Sequence, residues 1–350
     1  MSIHKMQLPR EITIGSNTLA IVGEVCSRLG YSGNALVISG PHTMKIAGQA
    51  VVDSLSGARF DASTIVVDSA TLETVTTVRK KIKSVQPSIV LGAGGGRVID
   101  ITKLSSTSER LPFISIPTTA SHDGIASPRA SIKGGEKPHS IKAESPIAII
   151  ADTDIIAKAP YRLLASGCGD LIANSTAVKD WELSYKLRNE YYGEYSASLS
   201  RMCAELVIRN ASLIKQKVDE SIRIVLEGLI SSGVAMGIAG SSRPASGSEH
   251  MFSHSLDLLA KNHAMHGEQC GVGTIMMMHL HGGDWQKIRD ALKEIGSPTT
   301  AEELGVSSEN IIDALCNSHK IRPERYTILG VKGLTREAAE RLARITGVIN

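Results

Sequence analysis

The sequence contains no C-x-x-C pair, no N-terminal apolar segment, no stripe of basic residues and no internal repeat. Each gap removes a class of protein. Its five cysteines, Cys26, Cys168, Cys203, Cys270 and Cys316, are odd in number and scattered, which argues against a disulfide framework or a cysteine zinc site and for buried free thiols. Met1 to Arg10 has no apolar core of a signal peptide, and no later apolar run is expected to reach the roughly 20 residues that span a bilayer. The expected location is therefore cytoplasmic, without a membrane span. A net charge of +3, from 38 basic and 35 acidic side chains, is too small to attract nucleic acid without clustering. With 42% hydrophobic and 21% charged residues, the composition is that of an ordinary folded chain.

At 350 residues the chain exceeds what one core usually organises, so two domains are expected. From residue 12 to about 156, short β-branched runs at 35–39, 63–67, 89–91, 113–116 and 147–151 alternate with helical segments. One such segment, 72–85, places Val75, Val78, Ile82 and Val85 on a single face. This rhythm predicts an α/β domain with a mostly parallel sheet, whose strands need helical crossovers. Beyond Pro160 the periodicity is helical, notably over 197–218 and 221–236, and predicts an all-helical second domain. The expected domains are 1–158 and 159–350. Four tyrosines between Tyr185 and Tyr195, beside Trp181, read as helix packing or a subunit contact.

The run 88–91 reads as a buried strand that leads directly into Gly92-Ala93-Gly94-Gly95-Gly96 and a helix start. Such a loop lets backbone N–H groups approach a pyrophosphate, and the helix N-terminus adds unpaired donors. A tight turn needing positive φ is the alternative. The pattern departs from the usual dinucleotide fingerprint because Arg97 stands at the final glycine position and the loop lies ninety residues in. At Ser39-Gly40-Pro41-His42 no acid is present to repel a 2'-phosphate, so use of both NAD and NADP is expected.

Six of the eleven histidines fall between residues 250 and 281, where even spreading would put about one. His250 and His254 share a helical face, and His263 and His266 follow. Imidazole is the commonest zinc ligand, and a catalytic zinc site has three protein ligands and one open position. Met251 stands where the zincin helix requires its glutamate, which argues against a metalloprotease. Asp170, flanked by Gly167 and Gly169, is read as opening an apolar helix; it is either an acidic ligand or a helix N-cap worth roughly 1 kcal/mol. His279 and His281 are read as structural.

Taken together, Gly94-Gly95-Gly96-Arg97-Val98-Ile99-Asp100, Pro117-Thr118-Thr119-Ala120-Ser121-His122-Asp123-Gly124, Gly169-Asp170-Leu171, Ser248-Glu249-His250 and His266-Gly267-Glu268-Gln269 resemble the archaeal sn-glycerol-1-phosphate dehydrogenases. This family belongs with glycerol dehydrogenase, the iron-dependent alcohol dehydrogenases and dehydroquinate synthase. The resemblance implies a dinucleotide-binding domain, a helical domain and an active site in the cleft between them. It implies zinc on Asp170, His250 and His266, with Asp123 and His254 contacting substrate and Asp170 serving catalysis through the metal. It places NAD(H) or NADP(H) on Gly94, Gly95, Gly96, Arg97, Val98, Ile99 and Asp100, bordered by Thr118, Thr119, Ala120, Ser121 and Ser127.

The implied reaction is reduction of dihydroxyacetone phosphate to sn-glycerol 1-phosphate for archaeal-type membrane lipids, with zinc polarising the ketone. His254 and a solvent molecule on the metal are equally admissible proton donors. Arg129, Lys133, Lys137, Lys142 and Arg243 are candidates for the substrate phosphate. A homo-oligomer is expected. The competing readings are a glycerol dehydrogenase, a dehydroquinate synthase-like lyase, and a non-catalytic sensor on the same fold.

Overall fold

The structure, a computed structural model, describes residues 4, 6–132, 139–260 and 264–350. It divides into two compact units, Met1–Ala120 with Gly124–Pro160, and Ser121–Asp123 with Tyr161–Asn350.

The first unit holds the strands β1 (Glu11–Gly15), β2 (Asn34–Ser39), β3 (Asp61–Val66), β4 (Ile89–Gly94), β5 (Phe113–Pro117), β6 (Arg129–Ile132), β7 (His139–Lys142) and β8 (Ala148–Asp152). Six of them form a sheet in the order β1-β8-β5-β4-β2-β3, with every pairing parallel. β6 and β7 pair antiparallel by themselves. Its helices are α1 (Val22–Arg28), α2 (Pro41–Thr43), α3 (Gln49–Gly57), α4 (Leu72–Val85), α5 (Gly96–Ser108) and α6 (Thr153–Lys158).

Alternation along the strands builds two cores, one on each face of the sheet. Ala35, Val37, Leu91, Ala93, Ile114 and Ile150 pack with Val25, Val51 and Leu55 from α1 and α3. Leu36, Ile38, Val90 and Phe113 point the other way, onto Val75, Val78 and Ile82 of α4 and Val98 and Ile101 of α5. α4 begins where the Thr71 hydroxyl accepts the Thr74 N–H at 3.2 Å and ends at Gln86, which adopts positive φ. The order reverses between β2 and β4, which makes the carboxyl ends of these strands the switch point where α/β sheets receive ligands.

Among the described residues the second unit contains helices and no strand: α7 (Tyr161–Arg188), α8 (Glu194–Arg209), α9 (Ala211–Lys215), α10 (Asp219–Ala239), α11 (Ser248–Leu259), α12 (His266–Leu280), α13 (Trp285–Ile295), α14 (Ala301–Leu304), α15 (Ser308–Asn317) and α16 (Arg336–Ile345). The parallel sheet and the helical second half are as expected. Three details differ. The helical run expected over 197–218 breaks at Asn210, whose side-chain amide donates to the Leu206 carbonyl at 2.8 Å. α10 is long and apolar enough to cross a membrane, contrary to expectation, but it is a mostly buried core helix. Asp170 lies well inside α7 rather than opening a helix, so an N-cap role is excluded. Trp181 packs on Tyr192 at 4.9 Å between ring centroids, and its indole N–H donates to the Tyr191 carbonyl at 2.6 Å.

Candidate functional site

Two helices that cross on glycine bring the metal-type side chains together. A methyl group added at Gly169 of α7 would overlap the Gly267 carbonyl, and one added at Gly267 of α12 would overlap the Ser166 carbonyl. Only hydrogen at both positions allows this approach. Asp170 follows the first glycine and His266 precedes the second, so the crossing itself places carboxylate beside imidazole. The start of α12 is also pinned: Glu268 accepts the Met265 N–H at 2.9 Å and two hydrogen bonds from Arg162 of α7 at 2.6 and 2.8 Å.

α11 supplies His250. Its first turn is held from outside, because Asp180 of α7 accepts the Ser248 N–H at 2.6 Å. Nε2 of His250 lies 3.6 Å from Oδ1 of Asp170, and Nε2 of His266 lies 3.8 Å from the same oxygen. Ligand atoms about 2 Å from a tetrahedral ion stand about 3.4 Å apart, so the cluster is close to the size a zinc shell requires. Cys270, one turn beyond His266, adds its sulfur; the four ligand atoms lie within 4.8 Å of one another.

The outward nitrogens of both rings are occupied. Nδ1 of His250 meets Glu249 at 2.9 Å, and Nδ1 of His266 meets the Ser253 hydroxyl at 3.1 Å, which leaves each Nε2 facing the cluster. Burial would raise the Asp170 pKa, but the neighbouring His250 and the charges of His266 and His122 bring it down. Burial would lower that of His250, yet Cys270, Asp170 and Glu249 hold it well above the usual imidazole range. Burial and then the charge of His250 push His266 down. An ionised carboxylate, two imidazoles and a thiol in a buried setting are a donor set that a divalent zinc ion satisfies.

Asp123 and His254 border this cluster. The Asp123 N–H donates to Oδ2 of Asp170 at 2.9 Å, and its own carboxylate accepts the Ser232 hydroxyl at 2.9 Å. The His254 ring stacks on His266 with centroids 5.5 Å apart. Its buried Nδ1 has no hydrogen-bond partner, and burial is the first cause that keeps the ring neutral.

In the first unit, the glycine loop joins β4 to α5 at the switch point. None of its glycines has a positive φ, so the tight-turn alternative does not apply. They serve close packing and open approach instead. A methyl at Gly92 would come 2.6 Å from the Thr102 hydroxyl, and one at Gly94 would come 2.7 Å from Cβ of Val98. At Gly95 it would meet only the Thr119 hydroxyl, at 3.6 Å. The Gly95 carbonyl accepts from Val98 and Ile99, while the first-turn N–H groups of Gly96 and Arg97 have no intrahelical acceptor. The buried Thr118 hydroxyl lacks a partner. An open glycine, free amides and an unpaired hydroxyl suit a pyrophosphate.

Comparison with known proteins adds a family. Residues 13–160 match the model of the iron-containing alcohol dehydrogenases. The chain is 58% identical over 349 residues to glycerol-1-phosphate dehydrogenase [NAD(P)+] of Methanothermobacter thermautotrophicus, covering 100% of both chains. It is 55% identical to the protein of the same name from Thermococcus kodakarensis, covering 99% of both. The chain belongs to the glycerol-1-phosphate dehydrogenase family. In fold it resembles the glycerol dehydrogenase of Schizosaccharomyces pombe, with a TM-score of 0.83 at 22% identity over 99% of this chain and 91% of that one. It also resembles the sulfoacetaldehyde reductase of Bifidobacterium kashiwanohense, solved with NAD+, with a TM-score of 0.78 at 16% identity over 100% of both chains.

Within the family frame, several candidate residues have structural duties. Val98 and Ile99 are buried in the first unit. The Asp100 carboxylate accepts the Ser131 N–H at 3.0 Å, and Arg97 reaches the Asp68 carbonyl at 3.1 Å. Ala120 and Ser127 are buried, and Ser121 accepts the Ser166 hydroxyl on its carbonyl at 3.3 Å. Arg243 is buried and paired with Glu190; Arg129 and Lys142 lie on β6 and β7. His263, Lys133 and Lys137 lie outside the described residues. His281 meets Asp180 at 3.1 Å.

Sequence reasoning missed three residues. Cys270 could have been found from its i, i+4 spacing to His266. His122 stood in a quoted motif without a role, and its charge acts on Asp170. Lys103 is fully buried, and its ammonium donates to the Gly124 and Arg129 carbonyls at 2.6 and 2.5 Å, fixing the chain around Ser127. No sequence pattern announces such a lysine.

Proposed function

We propose that the chain catalyses reduction of dihydroxyacetone phosphate to sn-glycerol 1-phosphate with NADH or NADPH, as a zinc enzyme of archaeal-type lipid synthesis. The observation that carries this reading is the convergence of Asp170, His250 and His266 in a chain 58% identical, end to end, to a glycerol-1-phosphate dehydrogenase. Asp170, His250 and His266 would hold the metal, and the loop from Gly94 to Arg97 with the start of α5 would hold the pyrophosphate. The nicotinamide supplies the hydride, and zinc supplies Lewis acidity at the ketone oxygen.

The chain's own residues do the rest. Asp123, fixed by Ser232 and by its N–H to Asp170, is set to accept a hydrogen bond from a substrate hydroxyl. His254 stacks on His266 beside the cluster, and burial lowers its proton affinity, so a proton it takes up from solvent can be passed on to the developing alkoxide. The absence of a carboxylate at Ser39 to His42 supports acceptance of either cofactor. Free cysteines support a reducing, cytoplasmic setting. Exposed Tyr185, Leu187, Tyr191 and Tyr195 support a homo-oligomer, which light scattering would measure.

A stereospecific assay tests the reading. Purified protein given dihydroxyacetone phosphate, reduced cofactor and zinc should consume cofactor and yield sn-glycerol 1-phosphate. The opposite enantiomer, equal use of unphosphorylated dihydroxyacetone, or product without net cofactor oxidation would replace it with another reaction.

A further inference from the structure

The loop that follows the turn Ser318–Lys320 carries two arginines to the start of α11. Arg325 donates to the Ser242 hydroxyl at 2.8 Å and to the Ser246 carbonyl at 3.1 Å, and Arg322 reaches the same hydroxyl at 3.4 Å. Their position is built in. The buried Asp180 carboxylate accepts the Ile328 N–H at 2.7 Å with one oxygen and the Ser248 N–H at 2.6 Å with the other, so loop and helix start are tied through one side chain. His250 lies two residues beyond Ser248, about 3 Å along the helix axis, and His254 one turn further.

Two further arginines gather at this corner. Arg243 lies at the same loop, donating to the Tyr326 carbonyl at 3.1 Å, and Arg188 stands 4.7 Å over the Tyr326 ring. Arg243 is matched by Glu190. Arg322 lies near enough for its charge to act on His254. Two guanidiniums beside the buried, unpartnered Ser248 hydroxyl are an arrangement that recognises a dianionic phosphate.

We propose that Arg322 and Arg325 bind the phosphate of the substrate and set the preference for a phosphorylated over an unphosphorylated three-carbon ketone. The proposal rests on the reading of the substrate as a phosphate ester and adds the residues that recognise it. A three-carbon chain then bridges from the Asp170–His250–His266 cluster to this pair, with His254 alongside. The candidates Arg129, Lys142 and Arg243 are not needed for it.

The test uses the zinc-loaded enzyme and its R322Q, R325Q and R322K variants. Two quantities are measured: the ratio of kcat/KM for dihydroxyacetone phosphate to that for dihydroxyacetone, and the inhibition constant of inorganic phosphate. Loss of one charge-assisted contact should lower the ratio by at least about tenfold and weaken phosphate inhibition comparably in R322Q and R325Q. R322K, which keeps the charge but not the fork, should fall in between. Zinc content at the wild-type level shows that a variant has kept its fold. An unchanged ratio with unchanged phosphate inhibition in zinc-replete R322Q and R325Q overturns the proposal. The function itself fails separately, if the unsubstituted enzyme shows no preference for the phosphorylated ketone.

Discussion

The two units use glycine and local sequence in opposite ways. In the first, the glycine loop is continuous in sequence: strand, turn and helix start lie within a few residues, and what they can bind follows from that local order. In the second, Asp170, His250 and His266 come from three helices and meet because Gly169 and Gly267 let two of those helices cross. A local motif can be read from a single stretch of sequence. A cluster built by packing is visible only as residue types, and its geometry depends on residues that carry no chemistry.

Substitutions sharpen that contrast, beginning with the cluster itself. His266→Ala should abolish stoichiometric zinc and lower turnover by more than about 1,000-fold, the scale of losing the electrophile; metal analysis and single-turnover kinetics would check both. Next comes the crossing. Gly267→Ala, which touches no substrate, should destabilise the second unit by about 1–3 kcal/mol through overpacking and reduce zinc affinity as well, measured by thermal unfolding and metal titration. Wild-type zinc binding in a stably folded Gly267→Ala protein would show that the crossing does not set the cluster. By comparison, Gly95→Ala in the first unit should leave unfolding unchanged within about 0.5 kcal/mol and weaken NADH and NADPH binding, because there a methyl makes only an ordinary contact with the Thr119 hydroxyl.

A smaller effect is expected at the groups behind the ligands. Glu249→Gln, which alters the partner of His250 Nδ1, should weaken zinc binding by about 10- to 100-fold. The smallest effect is a proton count. His250 in the metal-free protein is held in its protonated form above the usual range, while Asp170 is ionised and His266 neutral. Zinc uptake at pH 7 should then release about one proton, and affinity should rise with pH until His250 has lost its proton. Release of two protons would mean that Cys270, whose thiol burial pushes up to about 11, binds as thiolate.

Much of the fold was legible because buried parallel strands are continuous apolar runs. Strands β2, β4, β5 and β8 could be placed that way, while β3, an edge strand that is not buried, showed through its β-branched run. β1 was passed over because Glu11 to Gly15 is only half buried and lacks such a run, and the β6–β7 pair is too short to show a pattern. Asp170 was misplaced because flanking glycines read as a helix boundary, when in fact one of them, Gly169, serves a helix crossing. The arginines of the 321–330 loop were invisible for a different reason: some seventy residues separate them from α11, and it takes hydrogen bonds such as those of Asp180 to bring them to it.

The most direct test of the central claim is an anomalous-difference map from crystals of the zinc-loaded protein. The account predicts one strong peak bounded by Oδ1 of Asp170 and Nε2 of His250 and His266, each about 2.0–2.2 Å away. A peak elsewhere, or these three side chains turned away from the ion, would contradict it.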